Sequence, residues 1–462
     1  MSIQTVRPGM VQPGMVQPRI GVLFVTSGWF REVGLQAADS ETTNMVEEAA
    51  QRTIAFLSPY IDIIGGRVIF SEAEAEKESR KIRDADVDGI LHAPLMWCED
   101  SIVRAALRRL ADKPILLMTF CPEPTLPDYV PFQTGIQFSG AVCTLQLSGM
   151  LKREGYSYFP VAGSLEKPEV LTSVLDSCRA MAIASRFKHT RVGVLPFPCS
   201  QMSTTYVDEF GLRTLYGIEL VYLEIDRLKH LASGVSAPEI DSFTRKLRKA
   251  GIRIEVDETN LTEGIRYAIG MERLFDEAQI DILSMNDVIH EMHESLGLRP
   301  SLTHPGLGEK GRVVSMEADI AAGVCMFALR LFTGNIPFYT EPISVDMEKN
   351  LILLGHAGYH DYANSDPETD IKIIPDVEYK NTDRFSGAVT YFKYAAGPVT
   401  VVNSVWDGRR LKWVLCEGEA LGGGYRLEGN SHAVWRPDIP LTTFFETAAA
   451  SGVSQHWIII PG

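Results

Sequence analysis

The sequence predicts an α/β protein in three parts: two doubly wound, Rossmann-like domains followed by a mostly antiparallel, barrel-like β domain. Three observations carry this reading. Apolar runs of strand length alternate with amphipathic runs of helix length from residue 19 to residue 333, the rhythm of βαβ units and of a parallel sheet covered on both faces. Beyond residue 333 the helical period fades, and short strands follow one another through Gly, Asp and Asn turns. At 462 residues the chain exceeds what a single core organises, so about three units are expected.

Taken in order, residues 1–18 contain the duplication PGMVQ-PGMVQ and read as a flexible arm or a subunit-wrapping extension. They offer neither the basic start nor the apolar core of a signal peptide. The first domain, residues 19–160, runs strand 20–26, helix 41–57, strand 61–70, helix 73–85, strand 89–94, helix 100–111 and strand 114–120. The second, residues 161–333, opens with helix 169–185 and continues through strand 191–197, a helical stretch 204–216, and strands 218–223 and 281–286. The third, residues 334–462, has strand-like runs at 350–354, 388–395, 399–405 and 411–417, with little helical periodicity. Ligands of open α/β sheets bind outside the carboxyl ends of strands, so the loops after Thr26, Leu95, Phe197 and Met285 are candidate cleft walls.

Composition narrows the function. A formal charge of −15, from 59 acidic and 44 basic residues, repels a phosphate backbone, and no Lys/Arg run makes a local exception, so nucleic acid is not an expected partner. No apolar stretch of about 18 residues suggests a membrane span. The seven cysteines are scattered, odd in number and without C-x-x-C spacing, which fits reduced thiols in the cytoplasm and argues against a thiolate zinc site. The glycine-rich GEALGGGYRLEGN and GLGEKG lack a P-loop Lys-Ser/Thr and a dinucleotide fingerprint, so no nucleotide is implied.

Three segments concentrate residues that can do chemistry. In SMEADIAAGVCMFALRLFTG, Met316, Ile320, Val324, Phe327 and Leu331 recur at helical spacing, with Glu317 and Asp319 in the expected first turn. On spacing alone the two acids complement the positive end of the helix dipole. In NIPFYTEPISVDMEKNLILLGHAGYHD, Glu341 follows an extended Phe338-Tyr339, and an apolar strand ends in Gly355-His356-Ala357-Gly358. A glycine-flanked histidine there is either a turn residue or a ligand. GVSQHWIIIPG sets His456 before another apolar strand, a pattern that packing of a terminal strand also explains. Two carboxylates and two imidazoles form an N/O donor set suited to Mn²⁺, Co²⁺, Fe²⁺ or Zn²⁺. The H-E-M-H around His290 and His293 lacks the spacing of a zinc-protease helix and reads as a solvated or domain-interface face.

Together these segments resemble the L-fucose isomerase and L-arabinose isomerase superfamily. The resemblance runs through SMEADIAAG and a helix ending in LFTG, an acid 24 positions after Glu317, LLGHAG, and the closing segment with His456. It extends to Gln201-Met202 leading into YVDEFGLRTLYGIELV and to SGAVTYFKYAAGPVTVVNSVWDGRRLKWVLCEGEAL, covering essentially the whole chain after Arg19. The resemblance implies a divalent cation, foremost Mn²⁺, held by Glu317, Glu341, His356 and His456. It implies a sugar substrate, and trimers or hexamers whose clefts a neighbouring subunit completes. The sequence departs from the family where Met316 stands at a position cysteine often holds, where Gln455 replaces a histidine of the arabinose branch, and across LLGHAGYHDY.

An aldose–ketose isomerase must move a proton between C1 and C2 through a cis-enediol, and Glu317 and Glu341 are the expected acid–base pair. Trp29, Trp97 and Gln201, on or near predicted strand-end loops, are candidates for sugar contact, as against aromatic packing. His360 and Asn430 are candidates as against turn roles. Two other readings stay open: a hinge-closing sugar-binding or sensory protein, and an epimerase or lyase using the same enediolate chemistry.

Overall fold

The computed structural model describes residues 14–30, 40–121, 123 and 125–462, so most of the expected N-terminal arm lies outside the described residues. The chain forms two compact units, consisting mainly of Val16–Arg186 and Phe187–Gly462.

The first unit alternates strands and helices: β1 (Arg19–Val25), α1 (Ser40–Leu57), β2 (Asp62–Ile69), α2 (Glu72–Asp84), β3 (Gly89–Pro94), α3 (Asp100–Leu107), β4 (Ile115–Phe120), α4 (Phe132–Gln137), α5 (Gly140–Arg153), β5 (Tyr158–Gly163) and α6 (Pro168–Phe187). The strands pair in parallel in the order β2-β1-β3-β4-β5. Strand residues alternate between two cores: Ile20, Val22, Phe24, Leu91 and Leu116 enter one, and Leu23, Ile90, Ile115 and Leu117 the other. That alternation explains why the strands read as unbroken apolar runs, since both sheet faces are covered. Local signals agree, as in α2, where Ser71 caps the Glu74 N–H, acids Glu72 and Glu74 open the helix, and Lys81 and Arg83 close it.

The second unit begins with a parallel sheet. It contains β6 (Arg191–Leu195), α7 (Glu209–Tyr216), β7 (Glu219–Tyr222), α8 (Ile225–Ser233), α9 (Ala237–Lys249), β8 (Arg253–Ile254), α10 (Glu258–Ala278), β9 (Ile282–Met285), α11 (His290–Leu296), α12 (Pro305–Glu309), β10 (Val313–Met316) and α13 (Ile320–Thr333). Its four-stranded sheet has the order β10-β9-β6-β7. The remainder is β11 (Phe338–Asp346), β12 (Leu351–His356), β13 (Lys372–Pro375), β14 (Ala388–Tyr391), β15 (Gly397–Trp406), β16 (Leu411–Ala420), β17 (Ser431–Pro437), α14 (Leu441–Ser451) and β18 (Trp457–Pro461). Six of these strands close an antiparallel barrel, β11-β12-β17-β16-β15-β18, while β14, β13 and β8 form a small separate sheet. The expected fold class is therefore what forms: parallel α/β sheets followed by a barrel of antiparallel strands.

Three local expectations are corrected. The helix expected to have Met316 in its spacing and Glu317 and Asp319 in its first turn begins only at Ile320, with Asp319 as its cap, and Met316 instead ends β10, paired in parallel with β9 from Val313↔Ile282 to Met316↔Met285. The stretch 204–216 is interrupted, because Asp208 accepts the Phe210 N–H and restarts the helix at Glu209. The β domain also contains a helix, α14, whose Leu441, Phe444 and Ala448 pack into the same core as Phe338, Trp435 and Trp457. Among the described residues no helix is long and apolar enough to cross a membrane, and all seven cysteines are unbridged.

Candidate metal centre

At the carboxyl end of β10 the chain turns through two consecutive left-handed residues, Glu317 (φ 57°) and Ala318 (φ 51°), before α13. Each such residue costs on the order of 1–2 kcal/mol in an L-amino acid. Specific bonds offset that cost: the Glu317 N–H donates to Asp287 Oδ1 at 2.9 Å, and the Ala318 N–H donates to the Met285 carbonyl at 2.9 Å. Asp287 comes from the loop after the neighbouring strand β9, and Asp319 then caps α13 by accepting the Ala322 N–H at 2.8 Å. The turn projects the Glu317 carboxylate out of the strand end rather than along the helix surface.

Two imidazoles from the barrel meet that carboxylate. His456, fully buried just before β18, has Nε2 2.8 Å from Glu317 Oε2 and Nδ1 2.7 Å from Asp319 Oδ2. His356, at the end of β12, has Nε2 3.5 Å from Glu317 Oε1, and its Nδ1–H donates to the Ala357 carbonyl at 2.5 Å. The Tyr339 ring packs on both, 5.0 Å from His356 and 4.8 Å from His456, and its hydroxyl donates to the Met316 carbonyl at 3.1 Å.

Electrostatics follow from this packing. Burial works to lower the His456 pKa, but its bonds to Asp319 and Glu317 outweigh burial and raise it to about 9. Burial likewise works to raise the Glu317 carboxyl, and the two imidazoles overcome it and hold the group well below the usual carboxylate range. Burial and then the surrounding carboxylates, Glu341 among them, push the Tyr339 phenol far up, so it stays a neutral donor. Asp287 is completely buried and raised by desolvation against the opposing pull of Arg299 and the Glu317 N–H.

The donor atoms fit a divalent cation. Glu317, His356 and His456 each offer one ligand atom, and these atoms all lie within 4.8 Å of one another. His356 Nε2 is buried without a hydrogen-bond partner, which normally costs free energy unless something binds there. Both histidines turn Nε2 toward the same carboxylate, and one carboxylate with two imidazoles suits a borderline cation such as Mn²⁺, Co²⁺, Fe²⁺ or Zn²⁺.

Of the residues singled out in the sequence, Glu317, His356 and His456 are brought together, and Glu341 stands outside that group of atoms. Glu341 is half-buried on β11, the strand between β12 and β18. It lies opposite Gly355, the neighbour of His356, and one residue past the Thr340↔Trp457 pair, the next step toward His456. Gln201 is exposed on the turn after β6; beside it, Met202 Sδ accepts the Gln455 side-chain N–H at 2.9 Å, tying this loop to the His456 segment. Asn430 is half-buried next to Ser431, which pairs with His356. His360 is buried behind His356, donating from Nε2 to its carbonyl at 2.8 Å, and burial lowers its pKa to about 3. Trp29 and Trp97 belong to the first unit, on the loops after β1 and β3; Trp29 is exposed, and Trp97 Nε1 donates to Gln146 at 2.8 Å.

Sequence reasoning gave no role to Asp287 or Tyr339 and treated Asp319 only as a dipole partner. The acid directly after the predicted strand 281–286 was a usable signal for Asp287. The helix-face His293 also bears on this loop, with Nε2 2.6 Å from the Asp287 carbonyl.

No protein-family model matches the chain. The chain is similar to two proteins named sulfoquinovose isomerase, from Priestia aryabhattai and from Priestia megaterium (strain ATCC 12872 / QMB1551). Each is 22% identical over 318 residues, covering 68% of this chain and 69% of the relative. The similarity supports a sugar isomerase.

Proposed function

We propose that the protein is a metal-dependent aldose–ketose isomerase of the kind found in the L-fucose and L-arabinose isomerase superfamily, centred on Glu317, His356 and His456. The observation that carries this reading is the convergence of two imidazole Nε2 atoms on the two oxygens of one buried carboxylate, His356 Nε2 at 3.5 Å without a hydrogen bond, in a chain similar to sugar isomerases. A bound divalent cation supplies a Lewis acid for the negative charge that develops on O1 and O2 during proton transfer. Glu317, kept ionised by its neighbours, and Glu341, on the strand between β12, which ends in His356, and β18, which His456 precedes, form the acid–base pair. One handles the carbon-bound proton and the other the hydroxyl proton. Tyr339 and the barrel core behind it exclude water from the back of the site. The sugar is drawn from pentoses, deoxyhexoses and modified hexoses, and sulfoquinovose enters as a candidate through the relatives' names.

The test is turnover of a panel containing L-arabinose, L-fucose, sulfoquinovose and their ketose counterparts by chelator-stripped protein, before and after addition of Mn²⁺. Isomerised product only after metal addition is expected. Tight binding of a panel sugar by metal-loaded protein without any product would point to a binding protein instead.

A further inference from the structure

Capping a helix requires one acceptor oxygen, and serine or asparagine supplies it as well as aspartate does. Asp319 uses both of its oxygens and is completely buried: Oδ1 caps the Ala322 N–H at 2.8 Å, and Oδ2 meets His456 Nδ1 at 2.7 Å. A carboxylate oxygen can only accept, so Nδ1 carries a hydrogen toward Asp319; Nε2 carries one toward Glu317 in the metal-free ring, and it is that second hydrogen which must leave for a cation to bind. Turning the ring over would put carbons where Nδ1 and Nε2 stand and break both bonds. His456 is fully buried with Tyr339 on one face, its carbonyl accepts from Asn403 Nδ2 at 2.6 Å, and its N–H donates to Ser454 Oγ at 3.2 Å. His356 reaches the same state by another route, giving its Nδ1–H to the Ala357 carbonyl. Two locks of different origin therefore leave both Nε2 atoms turned toward Glu317.

We propose that Asp319 is a positioning residue of the centre: by accepting the Nδ1 proton of His456 it fixes the tautomer and the orientation in which Nε2 faces Glu317 and a bound cation. This rests on the reading that a cation binds at Glu317, His356 and His456. Partners of this kind orient ligand histidines and change metal affinity by roughly 10–100-fold. The neighbouring lock on His356 is backbone and cannot be removed by substitution, so Asp319 is where the arrangement can be tested.

Two variants separate capping from positioning. Asp319→Ser keeps a capping oxygen but is too short to reach His456. Asp319→Asn either caps with its oxygen and turns an N–H donor toward Nδ1, or accepts from Nδ1 and loses the cap. Mn²⁺ affinity is measured by calorimetry on the full chain after chelator treatment, alongside the metal-free melting temperature. For Asp319→Ser we expect a folded chain whose melting temperature is lowered by the buried, unpaired His456 Nδ1–H, and Mn²⁺ binding weakened by roughly 10–100-fold. Asp319→Asn should lose affinity in its capped form and melt earlier in the other. Parental affinity in folded Asp319→Ser overturns the proposal. If the variants do not fold, the Co²⁺-loaded parent reads the tautomer directly. Two solvent-exchangeable, strongly shifted imidazole N–H proton signals are expected, and fewer than two with cobalt bound at the centre would contradict the assignment. A parent that binds neither Mn²⁺ nor Co²⁺ removes the metal centre itself, and the role of Asp319 with it.

Discussion

Glu317 is held in a left-handed backbone conformation that few glutamates adopt, and what holds it is also what aims it. Its carboxylate takes one imidazole on each oxygen. Glu317→Gln keeps the shape and removes the charge, and Glu341→Gln does the same on β11. Each variant should retain the circular dichroism of the parent and lose at least about a hundredfold in turnover, the lower range for removing an acid–base group. Parental turnover in either would take that residue out of the mechanism.

A second residue-scale prediction concerns stability. His92 is buried in β3 with Nε2 unpartnered, and desolvation, opposed by the Leu23 carbonyl, lowers its pKa from 6.5 to about 4. The unfolded chain therefore takes up a proton below pH ~6.5 that the folded chain refuses until about pH 4. Stability from this group is fully present above that window and falls as pH drops through it, by roughly 3 kcal/mol in all. Denaturant unfolding of His92→Gln between pH 7 and 5 should show a shallower loss than the parent; equal slopes would contradict the assignment.

At the scale of elements, the centre depends on strand ends converging within the second unit. Gly358 follows His356 at φ +97°, where an added Cβ would come 2.3 Å from Met316 Sδ and 3.1 Å from Asp287 Oδ2. That sulfur already accepts the Tyr359 N–H at 3.0 Å. Gly358→Ala should cost about 1–3 kcal/mol. It should lower the melting temperature by roughly 2–4 °C per kcal/mol. Unchanged melting would mean the loop tolerates a side chain the geometry forbids. The same elements show what the sequence could and could not convey. The strands β1, β3 and β4 were legible because they are buried on both faces and their apolar runs are continuous, whereas the more exposed edge strand β5 was not. β10 was not, because Val313–Met316 is only four residues long and Met316 continues the helical spacing of Ile320, Val324 and Phe327. Glu317 consequently read as a first-turn acid, when it occupies a turn between strand and helix. His356 and His456 were legible as strand-flanking histidines. The partnership of Asp319 with His456 spans 137 residues, and no local pattern encodes a contact of that range.

At the scale of the whole molecule, each unit exposes large apolar side chains. Phe132 and Leu145 are 75% and 76% exposed in the first unit, and Trp413 and Leu415 are 42% and 63% exposed on the barrel. Such side chains mark an association surface where they lie together in one contiguous patch. The resemblance to the L-fucose and L-arabinose isomerase superfamily implies a trimer or hexamer, and light scattering after size exclusion tests this as three or six times the 51.2 kDa chain. A monomer at micromolar concentration would contradict that. The alternation of strands and helices and the change to antiparallel strands were legible from periodicity. The closure of six strands was not, because the order of strands in a barrel depends on pairings between distant segments such as β11 and β18.

We propose proton transfer between C1 and C2 at a cation bound by Glu317, His356 and His456. It is tested most directly by converting a substrate sugar in D₂O with Mn²⁺-loaded protein and reading the product by NMR. Deuterium is expected at the carbon that gains hydrogen, with no conversion once the metal is chelated. Product without deuterium, or conversion that persists at full rate in the chelated protein, would contradict it.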